Sequence, residues 1–219
     1  MNIKVCGITQ LKQLQELDDI GIEFAGLNFY KGSPRCVIGK IKAEDLNHAD
    51  FDLRKVGVFV DENARQVMKT VEEYSLDCVQ LHGDESPEYC KRLSEDVEVI
   101  KALGMNGDIK AVERMLRQYD DACDYYLFDS SHPATLQKES GEMQSFGGSG
   151  KQFEWNILPG LSIEKPFFLA GGISIQDVVK VKGFNHPDLF AVDINSKFEI
   201  SPGIKDMDLI KMFAQVLRN

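Results

Sequence analysis

Several positions in this chain pair a chemically capable side chain with the end of a short apolar run. Cys6 closes one such run and is followed at once by Gly7. A thiol near a helix start, with cationic groups close by, has a lowered pKa, and only its thiolate is a good base or nucleophile. The opposing reading is a buried, inert cysteine. Asp129 ends a second run in Leu127-Phe128-Asp129-Ser130. A carboxyl held against Phe128 and an apolar interior keeps its proton to higher pH and can act as a general acid, or it can cap the following turn. Asp193 closes a third run, where it would bind a sugar hydroxyl or close a turn. Arg35, in Gly32-Ser33-Pro34-Arg35, would grip a planar carboxylate through two parallel hydrogen bonds, or stand as a solvated surface charge.

Two glycine- or serine-rich turns follow apolar runs late in the chain, Leu169-Ala170-Gly171-Gly172-Ile173-Ser174 and Ala191-Val192-Asp193-Ile194-Asn195-Ser196. In a barrel of alternating strands and helices, such turns at the last two strand ends build a phosphate pocket from backbone N–H groups and a helix N-terminus. Gly171, Gly172, Asn195 and Ser196 are the candidate phosphate holders, and a small phosphorylated molecule is the expected substrate. Gln80, His82 and Asp84 flank a further strand end. His82 would carry a proton or touch substrate; with no second His or Cys at ligand spacing, no metal site is expected. Lys101 would form a Schiff base if desolvated. The favoured reading packs its stem inside the barrel and pairs its charge with a carboxylate.

The elements that must position these groups are legible as short runs rich in Val, Ile, Leu and Phe alternating with stretches of helical period. Eight strands are expected at Ile3–Cys6, Phe24–Phe29, Lys55–Val60, Cys78–Leu81, Val97–Ala102, Tyr125–Phe128, Pro166–Ala170 and Leu189–Asp193. Helices are expected at Leu11–Asp19, Asn63–Tyr74, Pro87–Ser94, Ile109–Tyr119, Ile175–Val181 and Met207–Leu217, with short ones around Ile41–Asn47 and Phe153–Leu158. Thr9, Asp61, Ser86 with Pro87, and Ser174 stand where N-caps belong. Eight repeats suit a closed parallel eight-stranded α/β barrel, the (β/α)8 or TIM-barrel architecture, as one domain over residues 1–219. The long polar segment Ser130–Lys151, after the sixth strand, has the place of an active-site lid or of a surface excursion. Trp155 is expected to pack the sixth helix onto the barrel.

Composition narrows the function. A formal charge of -10 over 219 residues repels polyanions, so neither a nucleic acid nor an anionic membrane is an expected partner. The five cysteines, Cys6, Cys36, Cys78, Cys90 and Cys123, include no C-x-x-C pair and read as reduced thiols of a cytoplasmic protein. No apolar run approaches membrane-spanning length and no targeting segment precedes the first strand.

Lys4-Val5-Cys6-Gly7-Ile8-Thr9, Ser33-Pro34-Arg35, Val56-Gly57-Val58-Phe59-Val60-Asp61, Val79-Gln80-Leu81-His82-Gly83, Phe128-Asp129, Gly147-Gly148-Ser149-Gly150 with Phe153-Glu154-Trp155, Leu169-Ala170-Gly171-Gly172 and Ser201-Pro202-Gly203-Ile204-Lys205-Asp206 run in order from end to end of the chain. Through them the chain resembles the phosphoribosylanthranilate isomerase family of tryptophan biosynthesis. The resemblance implies an Amadori rearrangement of N-(5-phosphoribosyl)anthranilate to 1-(2-carboxyphenylamino)-1-deoxyribulose 5-phosphate, with no metal or organic cofactor. It implies Asp129 as the acid that protonates the ring oxygen and Cys6 as the base that takes the proton from the sugar's second carbon. Arg35 would bind the anthranilate carboxylate and Asp193 a sugar hydroxyl, with His82 beside the substrate and the phosphate on Gly171, Gly172, Asn195 and Ser196. Monomer and homodimer both fit.

The chain departs from the family after Asp193, where Val-Ser-Ser-Gly-Val-Glu is usual and Ile194-Asn195-Ser196-Lys197-Phe198-Glu199 stands. A left-handed glycine conformation would cost Lys197 about 1 kcal/mol, so either the turn has changed shape or Lys197 adds its charge to the phosphate. The insertion 133–146 has no assigned role. Two other functions remain open at this level: a Schiff-base aldolase using Lys101, and a non-catalytic barrel that senses a sugar phosphate.

Overall fold

The structure is a computed structural model and describes residues 1–105, 109–130 and 153–219. Eight parallel strands close into a barrel in sequence order: β1 (Asn2–Cys6), β2 (Phe24–Asn28), β3 (Arg54–Phe59), β4 (Cys78–Leu81), β5 (Glu98–Gly104), β6 (Tyr125–Asp129), β7 (Phe167–Leu169) and β8 (Leu189–Ile194). Ladder registers such as Cys6↔Gly26, Gly104↔Asp129 and Lys4↔Asp193 hold neighbouring strands level, the last closing β8 onto β1. Helices α1 (Leu11–Asp19), α2 (Ala43–His48), α3 (Ala64–Tyr74), α4 (Pro87–Ser94), α5 (Ile109–Tyr119), α6 (Val178–Gly183) and α7 (Met207–Arg218) follow their strands. A two-stranded antiparallel hairpin, β9 (Glu199–Ser201) and β10 (Ile204–Lys205), precedes α7.

Both faces of each strand are buried, as a parallel sheet requires. Alternate residues therefore feed two separate cores. Ile3, Val5, Val79, Leu81, Val99, Leu103, Tyr126 and Phe128 pack under the helices. Phe24, Val56, Cys78, Ile100, Ala102, Leu127, Phe168, Ala170 and Ala191 fill the lumen. The N-terminal end of the lumen is plugged by aromatic rings, with Phe168 centroids 5.4 Å from Phe24, 5.6 Å from Tyr125 and 5.5 Å from Phe190. The opposite end, where the strands stop, stays available for chemistry.

Some local expectations give way to tertiary demands. Asp61 is not the cap of α3: Asn63 is, its side chain accepting from the Arg65 N–H at 2.9 Å, while Asp61 takes a left-handed φ of 49°. Nor does Thr9 cap α1; its hydroxyl donates to the Gly203 carbonyl at 2.6 Å and ties the first turn to the hairpin. Ser86 does cap α4, with Pro87 at its first position. The described part of the sixth crossover holds a tight 3-10 turn, Trp155–Gly160, and the seventh begins as one, Ile175–Asp177, and continues into α6. Trp155 is buried in the sheet–helix core, as expected. The segment from 131 to 152, which holds most of the expected lid and the insertion 133–146, lies outside the described residues.

Candidate active site

Lys4 and Cys6 are two residues apart on β1, so both side chains enter the lumen. The ladder sets Lys4 opposite Asp193. Their charged groups meet at 3.0 Å with the lysine side chain wholly buried, and the ammonium charge also acts on the Cys6 thiol. Gly26, level with Cys6, makes room for it: a Cβ there would stand 2.8 Å from Sγ. The expectation of a lowered thiol pKa is reversed. Burial pushes the Cys6 thiol above its ordinary range and the Asp193 charge adds to the rise, while the Lys4 and Lys205 ammonium groups oppose it. A full loss of hydration outweighs two nearby cations when an anion sits beside them.

Asp129 is buried at the inward-facing end of β6. Phe128 is not its neighbour in the lumen, because the strand turns that ring outward onto Phe167, 5.1 Å away. The carboxyl instead meets His82: Nε2 lies 3.4 Å from Oδ2. The other ring nitrogen, Nδ1, is 3.1 Å from the Gln80 amide nitrogen. These two contacts are those of an imidazole that donates from Nε2 to the Asp129 carboxylate and accepts at Nδ1 from Gln80. The two halves of the site feel each other, since the Asp193 carboxyl is raised first by burial, is lowered by Lys4, and also senses Asp129 and His82.

Arg35 is no solvated charge. Its Nε donates to Glu199 Oε1 at 2.9 Å and Nη2 donates to Oε2 at 2.7 Å. The Lys205 ammonium bridges the same carboxylate and the Asn195 side-chain oxygen, both at 2.8 Å. Glu199 is buried, which alone would raise its pKa, yet the Arg35 and Lys205 contacts bring it below the usual carboxylate range. Gly7 has φ +79°, and a Cβ there would stand 2.6 Å from Arg35 Cδ. The stem of the arginine therefore crosses the mouth directly over the turn after Cys6. Glu199 takes the side-on edge of the guanidinium, and the end-on edge formed by Nη1 and Nη2 can still face a planar anion.

The seventh turn carries positive φ at both Gly171 (92°) and Gly172 (64°), and a Cβ on Gly171 would come within 2.9 Å of the Ser130 backbone nitrogen. At the eighth, Asn195 leads into a 3-10 turn over Ser196–Phe198. Lys197 is exposed and lies outside the positive-φ residues, so it carries no left-handed penalty. Ser174 closes a capping box with Asp177, its N–H donating to the carboxylate at 2.8 Å. Neither turn opens directly onto an α-helix, which leaves loop N–H groups rather than a long helix to offer an anion.

Lys101 lies on the other side of the sheet. Alternation on β5 sends Ile100 and Ala102 into the lumen and Lys101 under the helices, where Nζ pairs with Glu85 at 2.7 Å. The ion pair was expected; its place inside the barrel was not observed, and a lysine facing the helices cannot attack a substrate in the lumen. Lys4, Glu199 and Lys205 are site groups that the strand-end reading passed over. Lys4 carried a signal, since it precedes Cys6 by one strand period. Glu199 meets Arg35 across 164 residues of chain, and Lys205 meets Glu199 across the hairpin, six residues away.

The sequence matches the family profile of N-(5'-phosphoribosyl)anthranilate (PRA) isomerase over residues 3–216. It is 36% identical over 217 residues to the N-(5'-phosphoribosyl)anthranilate isomerase of Parabacteroides distasonis, covering 98% of this chain and 92% of that protein. It is 37% identical over 215 residues to the enzyme of that name from Thermotoga neapolitana, covering 97% and 96%. The crystal structure of phosphoribosyl anthranilate isomerase from Thermotoga maritima superposes with a TM-score of 0.81 at 32% identity, covering 100% of this chain and 98% of that one. A phosphoribosyl anthranilate isomerase in complex with reduced 1-(o-carboxyphenylamino)-1-deoxyribulose 5-phosphate superposes with a TM-score of 0.76 at 28% identity and the same coverage. Barrel, strand-end chemistry and full-length likeness converge: the chain is an enzyme of the N-(5'-phosphoribosyl)anthranilate isomerase family.

Proposed function

We propose that this enzyme performs the Amadori rearrangement of N-(5-phosphoribosyl)anthranilate, with Asp129 as general acid and Cys6 as general base. Asp129 protonates the furanose oxygen as the ring opens to a Schiff base. Cys6 then removes the proton from the second carbon of the sugar, and the enolamine tautomerises to the ketone. Atoms and electrons balance within the substrate, so acid–base groups suffice. The Lys4 ammonium, whose charge favours the thiolate, stabilises it as it forms, and the His82 N–H does the same for the carboxylate left on Asp129. Arg35, braced by Glu199, receives the anthranilate carboxylate on its free edge. Asp193 meets a sugar hydroxyl, and the turns at Gly171–Gly172 and Asn195–Ser196 hold the phosphate.

The observation that carries this reading is the meeting, at one lumen mouth, of a thiol beside an ammonium and a carboxyl beside an imidazole. The same reading takes a small phosphorylated substrate, a cytoplasmic setting and a monomer or homodimer; among the described residues no helix is long and apolar enough to cross a membrane. Purified protein mixed with freshly generated substrate should show turnover. Cys6→Ala and Asp129→Asn should each reduce kcat by about 10²- to 10⁴-fold while ligand binding survives. Losses below about tenfold in both variants would remove the assigned roles.

A further inference from the structure

We propose that the buried Lys101–Glu85 pair, on the side of the sheet away from the lumen, is a positioning device for His82. The pair holds the backbone on both sides of that residue. Lys101 Nζ donates to the Leu81 carbonyl at 3.3 Å, the Gly83 carbonyl at 2.7 Å and Glu85 Oε2 at 2.7 Å. An ammonium has three N–H groups, and these contacts use all of them. The two carbonyls are those immediately before and after His82. Glu85 grips the same turn and the loop after β3 by their N–H groups: Gly83 N donates to Oε2 at 3.0 Å, and Asp61 N donates to Oε1 at 2.9 Å. The His82 N–H is held by the Phe59 carbonyl at 2.9 Å. Strand alternation sends Lys101 outward and His82 inward, so one cation behind the sheet fixes the peptide units from which the imidazole reaches Asp129.

Neighbouring groups fasten the clamp itself. The Tyr119 hydroxyl donates to the Glu85 carbonyl at 2.7 Å, and the Tyr119 ring lies 5.8 Å from the ammonium. The Asp61 carboxylate accepts from Asp84 N at 2.7 Å, stitching the third loop to the fourth. Both charged side chains are only 2% exposed. Taking two charges out of water is costly, and an apolar pair of similar volume serves packing alone as well or better. What an apolar pair cannot do is hold two carbonyls and two N–H groups around one residue. The inference rests on the proposed reaction only for its kinetic consequence, since the clamp of His82 is a property of the fold.

The test uses the full chain carrying Lys101→Met with Glu85→Gln, which removes both charges together and leaves no unpaired one. Glu85→Gln alone, which keeps one of the two acceptor oxygens and removes the charge, serves if the double variant does not fold. Long-range 1H–15N spectra of 15N-histidine protein, with the His82 signal identified by His82→Gln, should show a single tautomer protonated at Nε2 in the parent protein. The variant should show averaging between tautomers. Its kcat should fall by about tenfold with KM nearly unchanged, and in the His82→Gln background the same change should cost less than about twofold. An unchanged His82 spectrum in a folded variant overturns the clamp, and so does an equal loss of kcat in both backgrounds. A parent protein that turns over no substrate counts against the isomerase reading, and the spectrum still decides the clamp.

Discussion

At the scale of single residues, the site turns on how a thiol with a raised pKa can serve as a base. A thiol that holds its proton at neutrality is rarer as thiolate but more basic once formed, so its reactivity should climb with pH. We expect the rate of Cys6 alkylation by iodoacetamide to rise through neutrality and to level off only above the ordinary thiol value of 9.0. Asp193 raises the thiol and Lys4 lowers it; Asp193→Asn should therefore move the limb to lower pH, and Cys6→Ala should abolish it. A pH–rate profile of the three proteins checks both signs. A limb that stays in place when Asp193 becomes neutral would show that the titrating group is not the thiol.

At the scale of elements, the hairpin β9–β10 braces the site from outside the barrel. Glu199 on β9, itself paired with Lys205 on β10, holds Arg35, which comes from the loop after β2. Because the folded pKa of Glu199 lies below its ordinary value of 4.5, its contribution to stability is fully present above that value. It is lost as pH falls through the lowered folded one. Glu199→Gln should thus be less stable than the parent at pH 7 in urea unfolding, with the gap closing in acid. The same variant should raise KM more than it lowers kcat, since Arg35 loses its brace and not its charge. A gap of constant size at every pH would mean that the carboxylate charge contributes nothing to the brace.

At the scale of the whole molecule, the two ends of the lumen divide the work. The aromatic plug of Phe24, Tyr125, Phe168 and Phe190 closes the N-terminal end, while the polar groups gather where the strands stop. Phe168 is wholly buried, so Phe168→Ala should cost about 3–5 kcal/mol of stability with kcat per folded molecule little changed. Denaturant melts and active-site-normalised kinetics separate the two. A large fall in kcat with unchanged stability would contradict this division.

The amino-acid sequence by itself determined the eight strand–helix units and the residues at the strand ends. Apolar runs, helical period and caps such as Ser86-Pro87 are local signals that survive packing. Cys6, Asp129, Asp193 and the two late turns were legible because a parallel barrel puts chemistry at the C-terminal ends of strands. Only the tertiary structure decided which face each strand residue occupies and which charges meet. On β5 the alternating sets Val99, Lys101, Leu103 and Ile100, Ala102 are both buried, so nothing in the pattern tells lumen from helix layer, and Lys101 was placed on the wrong side. The partners of Lys4 and Arg35 lie 189 and 164 residues away, brought close by closure of the barrel and by the hairpin. The direction of the Cys6 shift followed from burial, a property of the assembled core that no local pattern carries.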